Sequence, residues 1–129
     1  MPVLDTSFLI DLQEGKPEAR RAIDALAGQD LVVPGHAVLE FLAGFEDPAQ
    51  ALHFLKSAFR VAWSGEEHVL EGAKIRLAAA RSGRRPAWGD VHIAATAVLE
   101  GSYVVTADSR DFEAIGVAAW NHREGGPPP

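Results

Sequence analysis

Cysteine is missing from this 129-residue sequence altogether. That excludes disulfides and every thiolate metal site, and it suits a reducing compartment. No apolar run approaches the ~20 residues that a membrane-spanning helix needs. The first twelve residues lack the basic start of an export signal, and Asp5 and Asp11 interrupt their apolar character. They read as a buried strand running into a helix, and the expected location is the cytoplasm. Positive charge is also scarce: 12 Lys and Arg face 18 Asp and Glu, a net charge of −6. A nucleic-acid-binding protein normally carries the opposite balance, so that function needs a local explanation.

The residues that are present suit one ordinary globular domain. Length is enough for one domain and too short for two, and the 47% hydrophobic content is typical of a packed core. Short apolar runs predict strands at residues 2–4, 31–33, 61–63 and 103–105, with a final edge strand at 117–119. Between them lie amphipathic stretches. Residues 8–13 read as a helix capped by Thr6 or Ser7, and 17–27 as a helix with Pro17 in its first turn and Gly28 at its end. Pro34-Gly35 opens a helix over 36–43, and Pro48 opens another over 48–59. Ser64, with Glu67 three residues on, predicts a capping box for a long helix ending near 82. Residues 83–86 form a basic turn, 88–100 the next helix, and 108–115 a short helical turn. The Gly/Pro tail at 124–129 cannot continue a helix or a central strand, so the expected domain spans 1–123. Strands alternating with helices predict an α/β fold: a central parallel sheet of four to five short strands with helices on both faces.

Ligands of such sheets gather at the carboxyl ends of the strands. Asp5 directly follows the first strand, and Asp108 lies three residues past the strand at 103–105. Glu40 sits one to two turns into the helix after the second strand. Asp90 opens the helix that runs back into the 103–105 strand, so its N-terminus lies at the same pole. Alone, Asp90 reads as a helix cap, favoured by ~0.3–1 kcal/mol from the dipole; beside three other acids it reads as part of a site. Several ionised carboxylates cannot share a small region without a cation. Hard oxygen donors without cysteine select Mg²⁺ or Mn²⁺, ions suited to phosphodiester hydrolysis. With these four acids set aside, 14 acids face 12 bases, a net of −2, and a bound cation would reverse the local field. Arg81, Arg84 and Arg85 then read either as phosphate contacts or as a solvated turn.

Four segments carry a resemblance to a known family. They are Val3-Leu4-Asp5-Thr6-Ser7, Val38-Leu39-Glu40-Phe41, the run from Trp88 through Asp90 to Ala97, and Val105-Thr106-Ala107-Asp108-Ser109-Arg110-Asp111-Phe112. In this order and spacing they resemble the PIN-domain family, in particular the small VapC-like toxin ribonucleases, over residues 3–119. The resemblance implies a PIN-like doubly wound sheet and a homodimer. It also implies Mg²⁺ or Mn²⁺ at Asp5, Glu40, Asp90 and Asp108, cleavage of RNA, and an antitoxin protein as the blocking partner. By the same match Thr6 or Thr106 orients a ligand carboxylate or a water. Asp111 is either a fifth acid or a loop anchor paired with Arg110 or Arg123. A non-catalytic PIN-like binding module is one alternative. A phosphatase or phosphotransfer domain with Asp5 phosphorylated is another, but it calls for a basic residue after the late strand, where Thr106 and Asp108 stand.

Other residues read as structural. Phe41, Leu42, Phe45, Leu52 and Leu55 suit a core better than an antitoxin groove. His36, His53, His68, His92 and His122 show no zinc-type spacing and read as surface or packing residues. Of Trp63, Trp88 and Trp120, only Trp88 lies near the acids, and it too reads as core.

Overall fold

The computed structural model describes all 129 residues. In chain order the elements are β1 (Val3–Leu4), α1 (Thr6–Gln13), α2 (Pro17–Ala25), β2 (Val32–Pro34), α3 (Gly35–Leu42), α4 (Pro48–Ala58), β3 (Arg60–Ala62), α5 (Glu66–Arg81), α6 (Trp88–Leu99), β4 (Val104–Thr106), α7 (Ser109–Glu113) and β5 (Ala119–Asn121). The strands form one sheet in the order β3-β2-β1-β4-β5, and every neighbouring pair is parallel. The chain builds one half outward from β1 through β2 to β3, then crosses back to add β4 and β5 on the other side. β1 is therefore the point where the two halves diverge, and an open parallel sheet offers its crevice at the carboxyl end of such a strand. Asp5 is the first residue beyond it.

The strands are continuous apolar runs because both faces are covered. Val3, Leu4, Val32, Val33, Val104 and Val105 are all fully buried. Phe8 of α1, Ile93 of α6 and Phe112 of α7 complete the core from the helices. The small residues Ala94, Ala95 and Ala97 let α6 lie close against the sheet, and all three are buried.

Several boundaries differ from the sequence reading. β2 and β4 end one residue later, on Pro34 and Thr106, and β5 is displaced by two residues to end on Asn121. A parallel ladder lasts as long as its backbone partners pair, and Thr106 pairs with Asn121 although neither is apolar. α1 is capped by Asp5, whose Oδ1 accepts the Thr6 amide at 2.8 Å, and not by Thr6 or Ser7. α5 starts at Glu66, so no Ser64–Glu67 box forms; instead His68 Nδ1 accepts the Gly65 amide at 3.1 Å. Trp88 is not core: it is 63% exposed, with the Arg76 guanidinium 4.3 Å above its ring. Phe41 and Leu55 are buried, while Leu42, Phe45 and Leu52 pack partly on the core, so these five residues form no open groove. No helix is long and apolar enough to cross a membrane.

Candidate active site

Asp5 anchors the site. Its carboxylate is buried where β1 turns into α1, and three donors reach it. The Thr6 amide takes Oδ1, while Oδ2 accepts from Thr106 Oγ1 at 2.7 Å and from Ser7 Oγ at 3.2 Å. Burial raises its pKa despite these bonds, each of which pulls the other way, and the charge of Asp108 adds to the rise. The Thr106 hydroxyl also accepts the Asp108 amide at 2.9 Å, so one side chain at the end of β4 links two of the acids. Ser7 Oγ accepts the Ala107 amide at 3.0 Å and closes the loop onto α1.

Glu40 comes from α3 on the other side. Thr6 Oγ1 donates to its Oε1 at 2.9 Å. His36, one turn earlier on the same helix, places Nε2 3.3 Å from the same oxygen. The His36 ring is stacked on His92 of α6 with centroids 5.8 Å apart. It lies so close over Gly89 that any Cβ there would strike it. A glycine at this place leaves room for the His36 ring beside the first turn of α6.

Asp90 reports the convergence most directly. Its pKa is pushed up to about 6, first by burial and then by the charges of Asp5, Asp111, Asp108 and Glu40 in that order. Side chains from four separate stretches of the chain therefore face one small region. Asp108 and Asp111 both belong to this field, and both are exposed. Asp111 is not a loop anchor for Arg123, because that guanidinium is bound to Asp11. Arg84 and Arg85 line a cleft of about 370 Å³ together with Pro86, Asp90 and Asp111. Arg81, the last residue of α5, does not line it.

The donor set decides what this region can hold. Every acid offers hard oxygens, and burial together with repulsion lifts Asp90, the second of which a cation would relieve. No three Asp, Glu or His side chains are set closely enough to hold an ion directly between them. An ion held here would keep part of its water shell, as Mg²⁺ does, and would not sit in a closed cage.

Sequence reasoning missed two contributors here. His36 carried a signal, the i, i+4 spacing to Glu40; testing histidines only against zinc spacing passed over it. Ser7 stood in the first motif only as a helix-cap candidate, and its bond to Ala107, 100 residues away, left no signal in the sequence.

Known proteins share this chain's fold. A family model described as PIN domain matches residues 3–118. The chain superposes on FitAcB from Neisseria gonorrhoeae with a TM-score of 0.82 at 27% identity, covering 95% of this chain and 99% of that one. VapBC-1 from nontypeable Haemophilus influenzae gives 0.79 at 22% identity, over 95% and 98% of the two chains. VapC20 from Mycobacterium tuberculosis, described as a toxin cleaving the sarcin–ricin loop, gives 0.69 at 18% identity, over 92% and 97%. No curated protein matches the sequence significantly.

Proposed function

The chain belongs to the PIN-domain family, and on that footing we propose that it is a metal-dependent endoribonuclease, the toxin of a type II toxin–antitoxin pair acting in the cytoplasm. The single observation that carries the reading is the hydrogen-bond network through which Thr6 and Thr106 join Asp5 to Glu40 and Asp108, with Asp90 near enough to feel their charge. The similarity to FitAcB and VapBC-1 supports the toxin assignment, and VapC20 is an RNA-cleaving example of the same fold.

In this reading Asp5, Asp90, Asp108 and Glu40 would hold Mg²⁺ or Mn²⁺, with Asp111 as a fifth acid at the rim. When bound, the ion supplies an activated water and neutralises charge on the phosphoryl group. The chain's own residues fix the geometry. Thr106 and the Thr6 amide orient the Asp5 carboxylate, while Thr6 Oγ1 and His36 hold Glu40 from two sides. Arg84 and Arg85, on the wall facing Asp90 and Asp111, suit the phosphates of an RNA strand on either side of the cut. They offset locally a net charge that is otherwise unfavourable for RNA.

Two exposed apolar regions suit the expected partners. Val69, Leu70 and Leu77 of α5 and Trp88 of α6 are all more than half exposed, as a homodimer face requires. Leu39 of α3 and Phe54 of α4 are 66% and 60% exposed and suit contact with an antitoxin. The nuclease domain ends at residue 123 in this scheme, with 124–129 as a tail.

The test is cleavage of single-stranded and hairpin RNA by the purified chain with Mg²⁺ or Mn²⁺. Asp5→Asn and Asp90→Asn should each lower the rate by roughly a hundredfold or more while circular dichroism shows an intact fold. Full activity in either variant refutes the assignment.

A further inference from the structure

We propose that Asn121-His122-Arg123, the segment that ends β5 and turns away from it, is a positioning element that seats the Ala107–Asp108 loop against α1. The inference rests on the reading of Asp108 as part of a ribonuclease site. It concerns residues that lie outside every motif of that site.

Both backbone polar groups of Ala107, the residue ahead of Asp108, end on side chains. Ser7 Oγ accepts its N–H at 3.0 Å, and Asn121 Nδ2 donates to its carbonyl at 3.2 Å. The loop is thus gripped from two flanks by residues far from it in sequence. Asn121 is in turn fixed from below, since its Oδ1 accepts the Arg123 amide at 2.9 Å. The next two side chains then anchor on one carboxylate. His122 Nε2 lies 2.8 Å from Asp11 Oδ2, and Arg123 forms a fork on Asp11 through Nε at 2.7 Å and its second amino group at 2.9 Å. Asp11 and His122 are each only 2% exposed, and the His122 ring stands edge-on to Phe8 with centroids 4.9 Å apart.

The anchor and the grip share one helix face. Ser7 and Asp11 are four residues apart on α1 and so lie one above the other. The contacts therefore close a ring: Ser7 to Ala107, Ala107 to Asn121, Asn121 through its neighbours to Asp11, and Asp11 back along α1 to Ser7. Asp108 hangs from this ring. A C-terminus that only packed against the body would need the Asp11 contacts but not the bond from Asn121 to the loop carbonyl.

Asn121→Asp separates the two roles. It keeps an oxygen to accept the Arg123 amide but replaces the donor to Ala107 with a second acceptor. On RNA with Mn²⁺, Asn121→Asp and Asn121→Ala should lower kcat by roughly ten- to a hundredfold with KM and thermal midpoint little changed. Asn121→Gln, which keeps an amide donor, should recover part of the rate. Hydrogen exchange at the Ala107 and Asp108 amides should quicken in the Asp and Ala variants. Unchanged kcat in both, or a rate loss matched by an equal loss of folded protein, overturns the proposal. If the unmodified chain does not cut RNA, the ribonuclease reading fails and the exchange rates alone decide: faster exchange supports the positioning role, and unchanged exchange rejects it.

Discussion

Asp90 makes the site's electrostatics measurable without substrate. Its pKa in the folded protein is about 6, against 3.8 for an unperturbed aspartate. The folded state thus binds this proton more tightly than the unfolded chain does. The associated stability is fully present below pH 3.8 and is lost as pH rises through about 6. Asp5 shifts in the same direction. Asp11 shifts the opposite way, to about 2 under Arg123 and His122, so its contribution is lost only as pH falls from 3.8 toward 2. In EDTA, the melting temperature of the unmodified chain should therefore fall between pH 4.5 and 7 more steeply than that of Asp90→Asn. Parallel curves for the two proteins would contradict the crowding of charge around Asp90. Asp5, Asp90 and Asp108 stood out in sequence because each lies just past an apolar run or at a helix start, whereas Glu40, one to two turns into α3, was placed with them only by its helix following the second strand. Ser7, Asn121 and Arg123 did not stand out, since only the folded chain brings them to Ala107 and Asp11.

At the level of elements, α1 does two things. Its first residues hold Asp5 and Ala107, while Phe8 buries fully in the core and Asp11 anchors the C-terminal segment. Phe8→Ala should cost about 3–5 kcal/mol, read from chemical denaturation. Asp11→Ala should cost about 2–3 kcal/mol, less than the ~3–5 of a fully buried pair because the Arg123 side chain is about half exposed. The placement of the His36 ring beside α6 depends on Gly89. Gly89→Ala should leave stability within about 1 kcal/mol, since alanine favours the helix, yet displace His36 from Glu40 and lower RNA cleavage; a variant with unchanged activity would show that the His36 contact is dispensable. Element order and type could be read from period and punctuation, but strand ends could not. Thr106 and Asn121 belong to the ladder through backbone pairing, and their polar side chains gave the opposite signal.

For the whole molecule, the sheet order places β1 between its two halves, so acids distant in sequence meet beyond one strand end. The alternation of strands and helices predicted a parallel sheet with the acids toward one pole, but not the strand order that puts β1 in the middle. Nor did it predict surface properties, because an apolar side chain on a helix looks the same in sequence whether it meets the core or water. Leu77 is 56% exposed on α5 and Trp88 is 63% exposed on α6, where a packed interior was expected for the tryptophan. If this face joins two copies, Leu77→Glu should halve the mass seen by sedimentation while leaving the fold intact; an unchanged mass would place the dimer contact elsewhere.

In the proposed function, Asp5, Glu40, Asp90 and Asp108 bind divalent metal beyond the end of β1. Anomalous diffraction from crystals grown with Mn²⁺ tests it most directly. A peak is expected beside Asp5, Asp90 and Asp108, absent in Asp90→Asn. No peak there at saturating Mn²⁺, or a peak only at other acids, would contradict it.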